Sequence, residues 1–153
     1  MTTVFISGSI SIKELDPKVK ICLDNIMTGN YDIIVGDAYG VDALVQKYLS
    51  DRNYQKVKVY HVTNVPRNNI GNWENVQVES MDSPSTRFYY EKKDIAMSNI
   101  ADNALVIWDG KSTGSMNNIR RMLSRAKPVS IYSPDTRLFT TMTNLNEFIE
   151  RFV

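Results

Sequence analysis

Residues 102–127 carry the densest chemistry in the chain. An apolar run, Ala104 to Trp108, stops at Asp109-Gly110 and gives way to the turn Lys111-Ser112-Thr113-Gly114-Ser115, after which an amphipathic helix begins. That order places the exposed N–H groups of a helix start at the C-terminal end of a buried strand. Aligned peptide dipoles there favour an anion, most often a phosphate. Ser112, Thr113 and Ser115 add hydroxyls, and Gly114 lets a ligand approach the backbone. A Ser or Thr before a helix is also the ordinary N-cap, which binds nothing but its own helix. Five cations and no acids lie between Lys111 and Lys127 (Lys111, Arg120, Arg121, Arg125 and Lys127). They form either a solvated helix face, opposite a stripe of Met116, Ile119, Leu123 and Ala126, or a positive field for an anionic ligand.

A second loop, Gly36-Asp37-Ala38-Tyr39-Gly40-Val41-Asp42, has small residues at a strand–helix junction and an acid in the first helical turn. Asp37 and Asp42 suit either ribose hydroxyls or the plainer tasks of turn residue and helix-dipole partner. Neither G-x-G-x-x-G nor G-x-x-x-x-G-K-[ST] occurs, which speaks against an ordinary nicotinamide dehydrogenase or a P-loop kinase. In the helix predicted over about 84–101, Lys93 falls in the middle of the apolar arc and Asp94 at its edge. A charge inside a core-facing stripe must be paired, snorkelling or lining a pocket. Arg87, Tyr89, Tyr90 and Trp108 are further candidates for base stacking or phosphate contact, each with a plainer role in core or surface.

The elements that must position these groups alternate along the chain. Strands are predicted at Thr3–Ser7, Tyr31–Val35, Val57–Val62, Ala104–Trp108 and Pro128–Tyr132. Helices are predicted at 17–28 (Asp16 as N-cap, Gly29 closing), 41–50, 84–101, 115–126 and 144–152. Asn64–Asp82 reads as irregular, with a short strand at Val76–Val78. Strands apolar on both faces and separated by helices mean an α/β fold with a mostly parallel sheet covered on both sides. Ligands of such sheets sit beyond the strand C-termini. Three loops share that edge: 7–11 (with Ser7, Gly8 and Ser9), 36–42 and 109–115.

The chain has 153 residues, 42% hydrophobic and 23% charged, with net charge +1, and no linker or repeat divides it. The balance of charge makes no case for nucleic acid, which is expected to be an unlikely partner. One cysteine, Cys22, excludes internal disulfides and reads as a buried thiol. No metal site is expected from His61, the lone histidine. With no apolar run of spanning length, no membrane association is expected, and Met1-Thr2-Thr3 leads straight into a strand, so cytoplasm is the expected compartment.

The motifs together resemble the SLOG superfamily, the Rossmann-like group that includes DNA-processing protein A and the Lonely-Guy phosphoribohydrolases. Gly36 to Asp42 looks like its "GGArGxD" loop, Lys93 to Asp102 like the helix leading into "AD", Asp109 to Ser115 like its second glycine loop, and Lys127-Pro128-Val129 like its "GKPV" strand entry. The resemblance covers roughly 1–132. It implies a Rossmann-like three-layer sandwich, a single nucleotide-binding domain over 1–153, and by analogy a homodimer or higher homo-oligomer. It also implies a nucleotide or nucleotide-derived ligand, such as a nucleoside monophosphate or ADP-ribose, contacted by Ser7, Gly8, Gly36, Asp37, Gly40 and the turn Ser112, Thr113, Gly114 and Ser115; the residues themselves add Ser9, Asp42, Lys93 and Asn118 as candidate ligand contacts. No separate cofactor is implied.

One departure bears on activity. Asn118 stands near the position where phosphoribohydrolases carry the glutamate of "PGGxGTxxE", and an amide can bond a ribose hydroxyl but cannot act as a carboxylate base. Three readings follow: a nucleotide sensor or binding module; an N-glycosidase of a nucleoside monophosphate, with Asp94 or Asp109 as its carboxylate; and single-stranded DNA binding through the basic helix.

Overall fold

The computed structural model describes residues 2–153. Its elements run β1 (Thr3–Gly8), α1 (Pro17–Thr28), β2 (Asp32–Gly36), α2 (Val41–Asp51), β3 (Val57–His61), β4 (Glu74–Gln77), α3 (Arg87–Ile100), β5 (Asn103–Ile107), α4 (Thr113–Ser124), β6 (Val129–Ser133), β7 (Leu138–Met142) and α5 (Leu145–Phe152). The strands form one seven-stranded sheet in the order β4-β3-β2-β1-β5-β6-β7. Every neighbouring pair is parallel except β6–β7. This is a Rossmann-like α/β fold.

Strand parity splits the core into two faces. Val4, Ile6, Ile33, Val35, Val57, Val59, Leu105 and Ile107 point to one side, against Val19 and Leu23 of α1 and Val45 and Leu49 of α2. Phe5, Ile34, Tyr60, Ala104 and Val106 point to the other, against Met97 of α3, Ile119 and Met122 of α4 and Phe148 of α5. Alternate side chains of a strand project to opposite faces, so a strand apolar at every position must be covered twice. After β1 the chain crosses to β2 through α1; after β5 it crosses to β6 through α4, on the opposite face. The sheet's winding therefore reverses between β1 and β5, and a crevice opens beyond their C-terminal ends.

Several boundaries differ from the sequence reading. The helix expected from Ser115 starts at Thr113, and the one expected from Pro84 starts at Arg87. The short strand expected at Val76–Val78 is β4, Glu74–Gln77, an edge strand with largely exposed side chains. Leu138–Met142, not anticipated as a strand, forms β7: the chain turns back after Ser133, with Arg137 at φ 57°, and its N–H donates to Ser133 O at 2.8 Å. Exposed Leu138 and Phe139 leave only a weak alternation there. Among the described residues, no helix is long and apolar enough to cross a membrane.

Candidate functional site

A cavity of about 410 Å³ opens at the β1–β5 crevice, between the strand ends and the facing ends of α3 and α4. That volume lies in the range of small-molecule sites, roughly 300–1,000 Å³. Its floor holds Ser7, Gly8 and Ser9 from the end of β1, and one wall is the start of α4 with Ser112, Gly114, Ser115 and Asn118.

The start of α4 is open and carries no side-chain cap. Ser112 stands at the N-cap but makes no capping hydrogen bond, and the first turn contains no acid. Its hydroxyl instead meets the Ser9 hydroxyl at 2.7 Å. The Trp108 indole N–H donates to Ser112 O at 3.0 Å and locks the turn to the core. A Cβ added at Gly114 would meet nothing within 4 Å. The N–H groups of the first turn are thus left without a side-chain acceptor, where a helix ordinarily supplies one.

Asp109 shapes this turn from below. Its Oδ1 accepts the N–H of Lys111 (2.8 Å) and Ser112 (2.7 Å), and its Oδ2 accepts the Ser11 hydroxyl (2.8 Å). Partial burial raises its pKa, but these donors outweigh burial and hold it down at about 2. A carboxylate so fully engaged serves as a bracket for the loop and is poorly placed as a base.

Beneath the cavity lies an ionic cluster at the end of β2. Lys93 is 4% exposed and its Nζ lies 3.0 Å from Asp94 Oδ1. Asp42, 6% exposed, accepts the Ala38 N–H at 3.1 Å. Burial pushes the Asp42 carboxyl up to about 6, against the pull of the Lys93 charge. Burial alone would lower the Lys93 ammonium, but Asp94 and Asp42 outweigh it and raise the pKa. The cluster closes directly over Gly36, where an added Cβ would come within 2.5 Å of Asp42 Oδ2 and 2.7 Å of Lys93 Nζ. The apolar-arc lysine is therefore both paired and cavity-lining, and Asp42 offers a group able to carry or accept a proton near neutral pH.

Asp37 behaves differently from the expectation that it binds ribose. It is 0% exposed, and its two carboxylate oxygens take the Arg67 guanidinium at 2.8 and 3.2 Å and the Arg67 N–H at 2.8 Å. Burial works against ionisation, but the Arg67 bonds win and keep its pKa below the usual carboxylate range. Asp37 thus faces an arginine rather than the cavity, and Arg67 presents itself to the cavity instead. Gly36, Gly40 and Thr113 likewise sit behind the lining; Gly40, at φ 73°, turns the chain into α2.

Two lining residues carried no signal in the sequence, Arg67 and Glu91, and a third, Arg121, was marked only as one of the cations of α4. Arg67 lies in the irregular stretch before β4, and its guanidinium stacks 4.2 Å from the Tyr90 ring centre. Arg121 pairs with Glu91 across α3 and α4 and donates to Asn118 Oδ1 at 2.7 Å. That bond turns the Asn118 amide NH2 towards Ser7 Oγ, 3.4 Å away, so Asn118 offers donors at the cavity floor. Helix phase placed Arg121 among the cations of α4, but nothing in sequence pairs positions 30 apart.

The basic run does not form one patch. Arg121 is drawn into the wall, while Lys127 Nζ caps the C-terminus of α3 through Ser98 O (3.0 Å) and Asn99 O (2.9 Å). Of the aromatic candidates, Tyr90 lines the cavity together with Arg87, whereas Trp108 is buried against Phe148. Cys22 is half-buried, and burial raises its pKa. His61 is buried with its ring bonded to Thr63 O and Asn75 Oδ1 at 2.7 and 2.8 Å. Among the described residues, no group of three or more His, Cys, Asp or Glu side chains is placed to hold a metal.

No family model matches the chain. No curated protein matches it by sequence. Among solved structures, the chain is similar to DNA processing protein A from Helicobacter pylori, described for its single-stranded DNA binding mode. The similarity has a TM-score of 0.66, covers 98% of this chain and 72% of that one, and carries 17% sequence identity. It shows the Rossmann-like fold. It also corrects the expectation that nucleic acid is an unlikely partner: a protein on this fold binds single-stranded DNA, and a net charge of +1 is no ground for exclusion. Whole-chain charge averages away the local surface on which phosphates are met.

Proposed function

We propose that the chain is a SLOG-like domain over 1–153 that binds a nucleotide at the β1–β5 crevice, as a sensor or binding module. The observation that carries this is the uncapped start of α4. Its N–H groups face a cavity, its N-cap hydroxyl is turned away to Ser9, and Gly114 leaves the approach clear. A phosphate satisfies those donors and the helix dipole together. Asn118, held by Arg121, and the Asp42 carboxyl supply donors and acceptors for ribose hydroxyls.

Thermal melting with AMP, adenosine and inorganic phosphate tests the reading. AMP at 100 times its dissociation constant adds about 2.7 kcal/mol of stability. Adenosine, lacking the phosphate, is expected to give far less. Flat melting curves across AMP, NAD, ADP-ribose and cyclic dinucleotides remove the proposal.

A second reading, single-stranded DNA binding, is favoured by the likeness to DNA processing protein A. In that case the crevice holds one nucleotide of a strand, and Arg87 and Arg121 on its walls meet neighbouring phosphates. Fluorescence anisotropy with a labelled single-stranded oligonucleotide should show affinity falling with salt, with a log–log slope of about −0.7 per phosphate contacted. Absence of binding at low salt eliminates it.

A further inference from the structure

We propose that Arg67 and Tyr90 form the platform on which the ligand's aromatic base stacks, so that the site selects intact nucleotides over phosphorylated sugars. This rests on the nucleotide reading above and adds to it the residues that recognise the base.

The guanidinium of Arg67 lies over the Tyr90 ring at 4.2 Å, and both side chains line the cavity. Arginine in a binding site usually suggests a phosphate clamp, but this one is already engaged. Asp37, fully buried, holds it through Nε and one terminal nitrogen, and takes the Arg67 backbone N–H as well. Its charge is compensated and its plane is fixed before any ligand arrives. What remains available is a flat, weakly hydrated surface backed by a phenol ring, with the Arg67 side chain 25% exposed. Such a surface suits an uncharged aromatic ring, which stacks on guanidinium planes and aromatic faces alike.

Its position fits. Asp37 directly follows β2, whose place in the sheet is two strands from β5, after which α4 begins. Two strand spacings come to about 9.6 Å. A ribose bridges a phosphate at the α4 start and a base near Arg67. Tyr90 is itself held from the side by Tyr89, with ring centres 4.9 Å apart at 87°. The platform is therefore rigid on both of its layers.

Titration calorimetry with AMP and with ribose 5-phosphate, on the wild-type chain, Tyr90→Leu, Tyr90→Phe and Arg67→Lys, tests the proposal. Wild type is expected to bind AMP at least tenfold more tightly than ribose 5-phosphate, in keeping with the worth of a base–aromatic stack. Tyr90→Leu and Arg67→Lys should lose roughly tenfold for AMP and stay within twofold for ribose 5-phosphate. Tyr90→Phe, which keeps the ring, should match wild type for both. Arg67→Lys leaves Asp37 imperfectly paired, so its melting temperature is measured first; Tyr90→Leu, which leaves the Arg67–Asp37 pair intact, decides the matter if that variant unfolds. Equal loss of both ligands in a folded Tyr90→Leu, or no loss of either, overturns the platform. Wild type binding ribose 5-phosphate as tightly as AMP overturns it while leaving the phosphate seat standing. Wild type binding neither ligand overturns both readings.

Discussion

Gly114→Asp separates what the start of α4 does for the fold from what it does for a ligand. The backbone at Gly114 has no positive φ, and a Cβ there meets nothing within 4 Å, so the side chain is sterically free. The first turn holds no acid. A carboxylate at this point accepts the idle N–H groups and complements the positive end of the helix dipole, which is worth about 0.3–1 kcal/mol of stability. For a chain of this size that is an increase of roughly 1–4 °C in Tm. The effect on binding has the opposite sign. Two unit charges about 5 Å apart at an effective dielectric near 20 repel by about 3 kcal/mol, more than a hundredfold in affinity. Calorimetry with AMP at low salt, beside thermal melting of the free protein, should therefore show a variant that melts no lower than wild type and binds at least a hundredfold more weakly. Gly114→Asn, of the same size without the charge, should keep most of the affinity. A folded Gly114→Asp that binds AMP within threefold of wild type would refute the argument that these N–H groups are the anion seat.

Other outcomes follow from the cluster under Gly36. The Asp42 carboxyl titrates at about 6 in the folded protein against a reference value of 3.8. Its folded pKa is raised, so its contribution is fully present below pH ~4 and is lost as pH rises through 6, about 3 kcal/mol in all. Asp42→Asn should flatten the fall in Tm between pH 4.5 and 7 relative to wild type; parallel pH profiles for the two proteins would contradict the burial argument. Gly36→Ala drives a methyl to within 2.5 Å of Asp42 Oδ2 and 2.7 Å of Lys93 Nζ, and should cost about 1–3 kcal/mol by urea denaturation. An unchanged midpoint would mean that the cluster gives way without cost. Asp109→Asn removes the charge-assisted bonds to the Lys111 and Ser112 N–H groups. It should weaken AMP binding through a loosened loop without a bell-shaped pH profile, because Asp109 is a bracket; a lost acid limb of activity or binding near pH 6 would instead assign it a proton-transfer role.

Much of this arrangement was legible before folding because it depends on local order. The run Ala104–Trp108, the turn after it and the apolar stripe of the next helix are consecutive, and each has a short-range cause: strand parity, turn chemistry, helical period. Lys93 was conspicuous because a charge at the centre of an apolar arc violates the period of its own helix, and it is indeed buried and paired. Arg67 was invisible for the complementary reason. It belongs to a stretch with no periodicity, and its partner Asp37 lies 30 residues away. The same distance hid the Arg121–Glu91 pair, which fixes the Asn118 amide. Strand β7 was missed because its side chains are mostly exposed, so no apolar alternation marked it.

By itself the amino-acid order determined the α/β alternation, the two-sided burial of the inner strands and the gathering of three small-residue loops at one edge. Those follow from side-chain periodicity and from the handed, parallel crossovers that periodicity demands. Only the tertiary structure decided which polar groups meet. It turned Asp37 away from the crevice and onto Arg67, occupied Asp109 with its own loop, and left the start of α4 open with Ser112 bonded to Ser9 instead of its helix. Each of those outcomes is a competition between partners far apart in the chain, settled by where the sheet's winding reverses and by which donors burial leaves without water.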